Sequence, residues 1–389
     1  MTYFSVPADF KTETIDRYNQ LHDAFPGSRV KETYGNITIG NCFESGRSVN
    51  LLPPVDMRQL EEYIRYSEDR GIDFNYTINT STMNNREFTP EGMAEARGFL
   101  QSLYDAGVRI LTIAMPSLIE LAVDGPWDFY VVGSTISQVR NAQHAKAFRE
   151  LGVRRIVLDE ALNRHFGDLK RIVRSFDGEV EVIANVVCYK NCIYRPFHYN
   201  QMSGDSIRLK SEASFQYYSH RCLLQRFRRA ANWLRLSWIR PEDLHHYEAL
   251  GIRYFKLQGR QAVMKGDPAR AVESYFKQSF DGDLVELLDM FDPTSHFRVH
   301  IDNRKLDGFL DPFVKNGEFC KNDCDACRYC EKFADSRVDK DSAAELARMA
   351  GDFIEEFDEY KKMVKPEEGG SVERFHPQEL DDANFGFEE

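Results

Sequence analysis

The chain has 389 residues, a formal net charge of −12, and 42% hydrophobic against 29% charged residues. That apolar content supports a sizeable core and excludes global disorder. The acidic balance excludes a protein that coats nucleic acid or an anionic membrane through bulk charge alone.

Taken in chain order, short runs rich in β-branched and aromatic residues read as strands: "YFSVP", "FNYTIN", "ILTIAMP", "FYVVGS", "RIVLDE", "VEVIANVV", "LRLSWI" and "YFKLQG". Several are preceded by the same signal, a helix end followed by glycine and then a β-branched residue. Gly71, Gly107, Gly152 and Gly251 stand where a helix C-cap needs positive φ. Helical patterns fill the intervals. In "TPEGMAEARGFLQSLYDAG", Thr89 is an N-cap and Pro90 opens the helix, with Met93, Ala96, Leu100 and Leu103 on one face. Strands alternating with helices predict a parallel α/β fold, and eight strand candidates predict a closed TIM-type (β/α)8 barrel. An open doubly wound sheet is the alternative, but no G-x-G-x-x-G follows a strand.

The predicted organisation is a barrel over residues 1–290, a cysteine-rich loop with an amphipathic helix over 291–365, and an acidic, poorly ordered tail over 366–389. The helix "DSAAELARMAGDFIEEFDEYKKMV" places Leu346, Met349, Phe353, Phe357 and Tyr360 on its apolar side. The segment Met1 to Phe10 has neither a basic leader nor an apolar run, and no stretch reads as a membrane span, so a cytoplasmic protein is expected.

Seven of the eight cysteines fall into two groups. Cys320, Cys324, Cys327 and Cys330 form C-x-x-x-C-x-x-C-x-x-C, a spacing that lets one bent loop surround a compact group. A cytoplasmic setting favours metal ligation over disulfides for such a cluster. An iron–sulfur cluster suits these gaps; zinc at 320–330 is the alternative, although structural zinc more often takes separated pairs. Cys188 and Cys192 in "VVCYKNCIYRPFHYN", with Cys222 in "YYSHRC", form a dispersed group just past a barrel strand, at the rim where active sites of this fold gather.

"VEVIANVVCYKNCIYRPFHYN" followed by "SWIRPEDLHHYEALGIRYFKLQGR" resembles the collagenase-like peptidase family of unassigned catalytic type, the U32 peptidases, over roughly residues 60 to 262. A Val/Glu-rich strand running into a cysteine and a strand ending in Phe255, Lys256, Gly259 and Arg260 carry the resemblance. It implies a 4Fe–4S cluster on four cysteines, since members of the family hold one. It also implies an oxygen-independent hydroxylation, of the ubiquinone ring or of pyrimidines in RNA. Other members are described as collagenases. By the same resemblance, Cys42 in "TIGNCFESGRSV" is the candidate fourth partner of Cys188, Cys192 and Cys222. One or two clusters are therefore expected, the second on Cys320, Cys324, Cys327 and Cys330.

The remaining candidates are groups for proton transfer and substrate binding. Asp159 and Glu160 end "RIVLDE" at the rim, and His198 and His220 flank the dispersed cysteines; each is a candidate catalytic residue, with a helix cap, an ion pair or a loop hydrogen bond as its structural alternative. Arg195, Arg240, Lys256 and Arg260 are candidates for gripping an anionic substrate, with salt bridging as the alternative. The basic, aromatic stretch 208–240 offers an RNA surface or simply a helix with a solvated basic face. No G-x-S-x-G, H-E-x-x-H or P-loop is present. The expected function is an iron–sulfur redox or hydroxylation enzyme acting on an organic or RNA substrate. A peptidase and a non-catalytic iron–sulfur subunit are the alternatives, the latter partnered by a homologous U32-type subunit or an electron donor.

Overall fold

Eight parallel strands close into a barrel in strict sequence order. They are β1 Thr2–Pro7, β2 Ser28–Gly35, β3 Asp73–Ile78, β4 Ile110–Ile113, β5 Tyr130–Gly133, β6 Arg155–Val157, β7 Glu179–Ile183 and β8 Tyr254–Lys256. The computed structural model describes residues 1–43, 45–47, 51–207, 217–295, 299–335, 337–339 and 341–363. The tail expected from residue 366 and the start of the basic stretch, 208–216, lie outside them. The outer helices include α1 Thr12–Ala24, α2 Met57–Glu68, α3 Pro90–Asp105, α4 Pro116–Asp124, α5 Ala142–Glu150 and α6 Phe166–Ser175. Among the described residues no helix is long and apolar enough to cross a membrane.

The local signals act as expected. Gly71, Gly107, Gly152 and Gly251 have φ of +71°, +97°, +87° and +100°. At Gly152 a Cβ would also meet Val123 at 2.7 Å, so both conformation and space demand glycine there. Thr89 caps α3 by accepting from Gly92 N, with Pro90 at the first helical position.

The strand count was right, but one member was wrong. "LRLSWI" is not a barrel strand: β7 pairs directly with β8, and Ile239 N donates a single ladder-like bond to Ala184 O. The missing strand is β2, "SRVKETYG", whose Lys31, Glu32 and Thr33 hide it from any search for apolar runs. The reason for its polarity is inside the barrel. Arg155 on β6 donates to both oxygens of Glu32 at 2.6 and 2.7 Å, and Ser5 and Asn75 donate to the same carboxylate. Arg155 Nε lies 3.2 Å from Glu181 on β7. Burial opposes ionisation of Glu32, but Arg155 and Lys256 hold its carboxyl below the usual range; burial raises that of Glu181, whose oxygens accept no hydrogen bond. Beside this polar filling, Val132, Val157, Ile183 and Val186 form a separate apolar column with Cys188 packed against it.

Residues after 291 add to the same core as the barrel, through Ile301, Leu306, Phe309, Phe313 and Val338. The C-terminal helix runs Asp341–Met363 and packs on α8 Tyr217–Phe227. Its inward face is centred on Ala350 and Ile354, with Phe353 and Phe357 against α8. Met349, expected inside, is 58% exposed because it falls off that stripe. The side chains of Leu346 and Tyr360 lie outside the description.

His22 at the end of α1 accepts a hydrogen bond from Val30 N through Nε2 at 2.9 Å, and burial lowers its pKa to about 4. The unfolded imidazole binds a proton first, so stability is full above pH ~6.5 and falls as pH drops toward 4, by about 3 kcal/mol over that window. Urea midpoints of the wild type are expected to fall more steeply between pH 6.5 and 4 than those of His22→Gln; parallel curves count against this role for His22.

Candidate functional site

Three segments rise from the C-terminal ends of the barrel strands. After β6, Asp159 N-caps a 3₁₀ turn, Glu160–Arg164, accepting from Ala161 N at 2.8 Å. After β7, residues 184–194 lead into α7 Arg195–Ile207. α8 then brings Cys222 toward the same place.

The two rim carboxylates differ. Asp159 is fully buried, and Arg140 and Arg195 bond its two oxygens at 2.7 and 3.0 Å. With the cap bond added, its acceptor capacity is spent on structure. Glu160 is 3% exposed, and its Oε2 has no hydrogen-bond partner. It interacts through space with Cys188, Arg195 and Tyr199. Of the pair, Glu160 is the carboxylate free for chemistry.

The structure draws Cys188, Cys192 and Cys222 together, each half-buried. Burial pushes the Cys188 thiol well up, with Glu160 adding to the effect, and raises Cys192 as well. Arg226 donates to Cys222 Sγ at 3.0 Å. The surroundings of Cys42 are different: burial and Glu95 push its thiol up to about 12, and Arg86 and Tyr76 are its other neighbours. Its loop nevertheless borders the rim, because Arg260 reaches Asn36, Thr77 (3.2 Å) and Ser45 O (2.5 Å). Arg47 from the same loop donates to Met202 Sδ on α7.

The histidines also separate. His198 on α7 is held neutral, its pKa lowered to about 4 by burial with Arg47 and Arg226 nearby. His220 lies face to face with Phe353 of the C-terminal helix, ring centroids 3.5 Å apart.

Most candidate substrate cations are spent on the fold. Arg240 donates to Asp243, Asp307 and Asn303 O, fastening the 303–307 segment. Lys256 is buried inside the barrel, 3.6 Å from the Tyr34 ring centroid. Arg195 bonds Asp159 and the carbonyl of Tyr189 (2.9 Å), with its Nε unpartnered beside Glu160 and Cys188. In the basic stretch, Phe227 and Trp233 are core residues and Arg226, Arg235 and Arg240 are buried; Arg228 and Arg229 face solvent. These arginines neutralise interior groups and do not form a stripe.

The C-terminal cysteines line one cavity. Asn322 and Arg328 adopt left-handed backbone at φ +61° and +53°, turning the loop between Cys320 and Cys324 and again between Cys327 and Cys330. Phe313, Phe319 and Tyr329 line it, with Phe309 and Phe333 packed against them. Besides Lys321 and Arg328 of the loop itself, three cations from the barrel side face it, none of them expected there from sequence. Lys190 donates to Cys320 Sγ at 3.2 Å. Arg235 interacts with Cys324 and Cys330. Arg164, 3% exposed, stacks on Trp238 and Phe309, bonds Leu234 O, and leaves Nε and one terminal nitrogen without partners. Lys190 lies inside C-Y-K-N-C and Arg235 inside the basic stretch 208–240, whereas Arg164 stood near no sequence signal. Among the described residues, no three His, Cys, Asp or Glu side chains close around a single ion position.

Residues 53–195 match the model of peptidase family U32. An uncharacterized protease of Methanocaldococcus jannaschii is 27% identical over 342 residues, 87% of this chain and 99% of that protein. Over that segment the chain is similar to peptidase family U32. The solved structure of a U32 peptidase overlays 67% of this chain and 94% of its own at 18% identity and a TM-score of 0.47. A putative copper homeostasis protein of Streptococcus agalactiae overlays 52% and 95% at 13% identity and a TM-score of 0.34. The family match includes β6, β7 and the Cys188–Cys192 loop.

Asp159→Asn strands Arg195 as a buried, weakly paired cation, a change that costs about 3 kcal/mol. Denaturation is expected to register that loss, and hydrogen exchange is expected to accelerate over residues 189–200. Unchanged exchange there would contradict the anchoring role of Asp159.

Proposed function

We propose that this chain is an iron–sulfur protein that catalyses or supports an oxygen-independent hydroxylation or other redox modification of an organic or RNA substrate. The observation that carries the reading is Arg164. A buried guanidinium with unpartnered nitrogens is costly unless an anion faces it. Four protonated thiols supply no such charge. Four thiolates holding a metal group do, and Lys190 and Arg235 complete the neutralisation.

The donor set fits an iron–sulfur cluster at Cys320, Cys324, Cys327 and Cys330. The four thiols line one cavity, and their short gaps on a single loop suit an iron–sulfur cluster, where structural zinc more often takes separated pairs. At the rim, Cys188, Cys192 and Cys222 are the ligands in this reading, with Cys42 the fourth by family resemblance. Such clusters supply one-electron chemistry. Around them, Glu160 offers an unpartnered carboxylate oxygen, His198 a neutral imidazole, and Arg195 a fixed cation at the mouth of the barrel.

Anaerobic purification followed by iron, sulfide and zinc analysis tests this. About eight irons per chain are expected for two 4Fe–4S clusters, and Cys188→Ser and Cys324→Ser should each remove roughly half. Zinc without acid-labile sulfide would sink the redox reading. Proteolysis that persists after the metal is stripped would favour the peptidase named by the family.

A further inference from the structure

The two cysteine groups share a wall. Residues 188–192 carry Cys188 and Cys192 on the rim side, while Tyr189, Lys190 and Asn191 line the C-terminal cavity. Lys190 is two residues from both Cys188 and Cys192, so its Cα stands at most about 7 Å from theirs. Its ammonium group donates to Cys320 Sγ at 3.2 Å. The wall is held in place: Arg195 bonds the Tyr189 carbonyl, and Asn191 takes a left-handed turn at φ +55° that returns the chain to Cys192. A continuous path of backbone, one side chain and one hydrogen bond thus joins the sulfurs of the two groups.

Exposure differs between the groups. Cys327 is the one exposed cysteine among the eight, whereas Cys188, Cys192 and Cys222 sit half-buried at the barrel mouth. The C-terminal cavity is the side a carrier can approach.

We propose that residues 188–192 are an electron bridge, along which single electrons would pass from a cluster at the barrel rim to one held by Cys320, Cys324, Cys327 and Cys330. This rests on the iron–sulfur reading above. Hydroxylation without oxygen withdraws two electrons from the substrate, so a one-electron acceptor, such as an oxidised carrier protein, would be reduced at the outer site once for each electron that leaves the rim. Two such transfers would account for both electrons. Within the bridge no bond forms or breaks and no proton is required. Lys190 acts as a positioning residue: its N–H···S bond and charge stabilise the reduced outer cluster and so raise its potential.

The test uses the full chain, reconstituted anaerobically with iron and sulfide, reduced with dithionite and examined by electron paramagnetic resonance. Two signals that broaden or split each other are expected, and the Cys320→Ser/Cys324→Ser chain should keep about half the iron with a sharp, unsplit rim signal. Lys190→Met, which keeps all the cysteines, should move the outer cluster's midpoint potential negative while the inner one stays put. About eight irons with two non-interacting signals would overturn the bridge alone. About four irons or fewer in the wild type would overturn the two-cluster reading and the bridge with it. An unmoved outer potential in Lys190→Met would remove Lys190 from the path.

Discussion

Arg155 is the constraint on which the rest of this barrel depends. Its guanidinium lies inside the closed sheet, bonded to Glu32 across the barrel on β2 and close to Glu181 on the neighbouring β7. A buried arginine of this kind cannot be satisfied by one carboxylate in an otherwise apolar interior. The sheet therefore supplies Ser5, Asn75 and Thr112 from β1, β3 and β4, linked in a chain of hydrogen bonds to Glu32. Lys256 on β8 completes the neutralisation of the two glutamates. Six of the eight strands, together with the Arg155 strand itself, are thereby held to one register by polar contacts that fail together if any strand slips.

That polar half leaves the apolar column of Val132, Val157, Ile183 and Val186 to fill the side formed by β5, β6 and β7. Cys188 rests on the top of this column, and Asp159 and Glu160 emerge from β6 beside it. β6 and β7 each carry a charged interior residue, Arg155 and Glu181, followed two residues later by an apolar one, Val157 and Ile183, and they lead into the rim acids and the cysteine loop. Arg260, after β8, ties the 36–47 loop to the rim.

The sequence disclosed what is local and concealed what is not. Helix caps, the four C-capping glycines and the spacing of Cys320 to Cys330 depend on neighbours within a few residues, and they were legible. β2 was not, because Glu32 is buried only by virtue of Arg155, 123 residues away. The same reason misplaced "LRLSWI": its alternation of apolar and polar residues imitates a strand, yet Arg235 and Ser237 are buried along with Leu236 and Trp238. Arg235 looked like part of a basic surface, and only its proximity to Cys324 and Cys330 shows why an arginine points inward there.

Partnership, more than residue type, separates the functional candidates from the structural ones. Arg240, Lys256 and Asp159 are charged and lie in or near the barrel, but each spends its charge on another part of the fold. Glu160 and Arg164 stand only four residues apart on the same 3₁₀ turn, each retaining unpartnered polar atoms while buried. Glu160 faces the rim cysteines and Arg164 faces the C-terminal ones. Arg195 offsets the charge of Glu160, so what remains costly at both positions is buried polar atoms without hydrogen bonds, a cost an apolar residue would avoid. The turn after β6 therefore serves both cysteine groups at once, as the 188–192 wall does after β7. Two adjacent barrel strands each carry a segment shared by both sites, so the cysteine loop beyond the barrel is built as part of the rim.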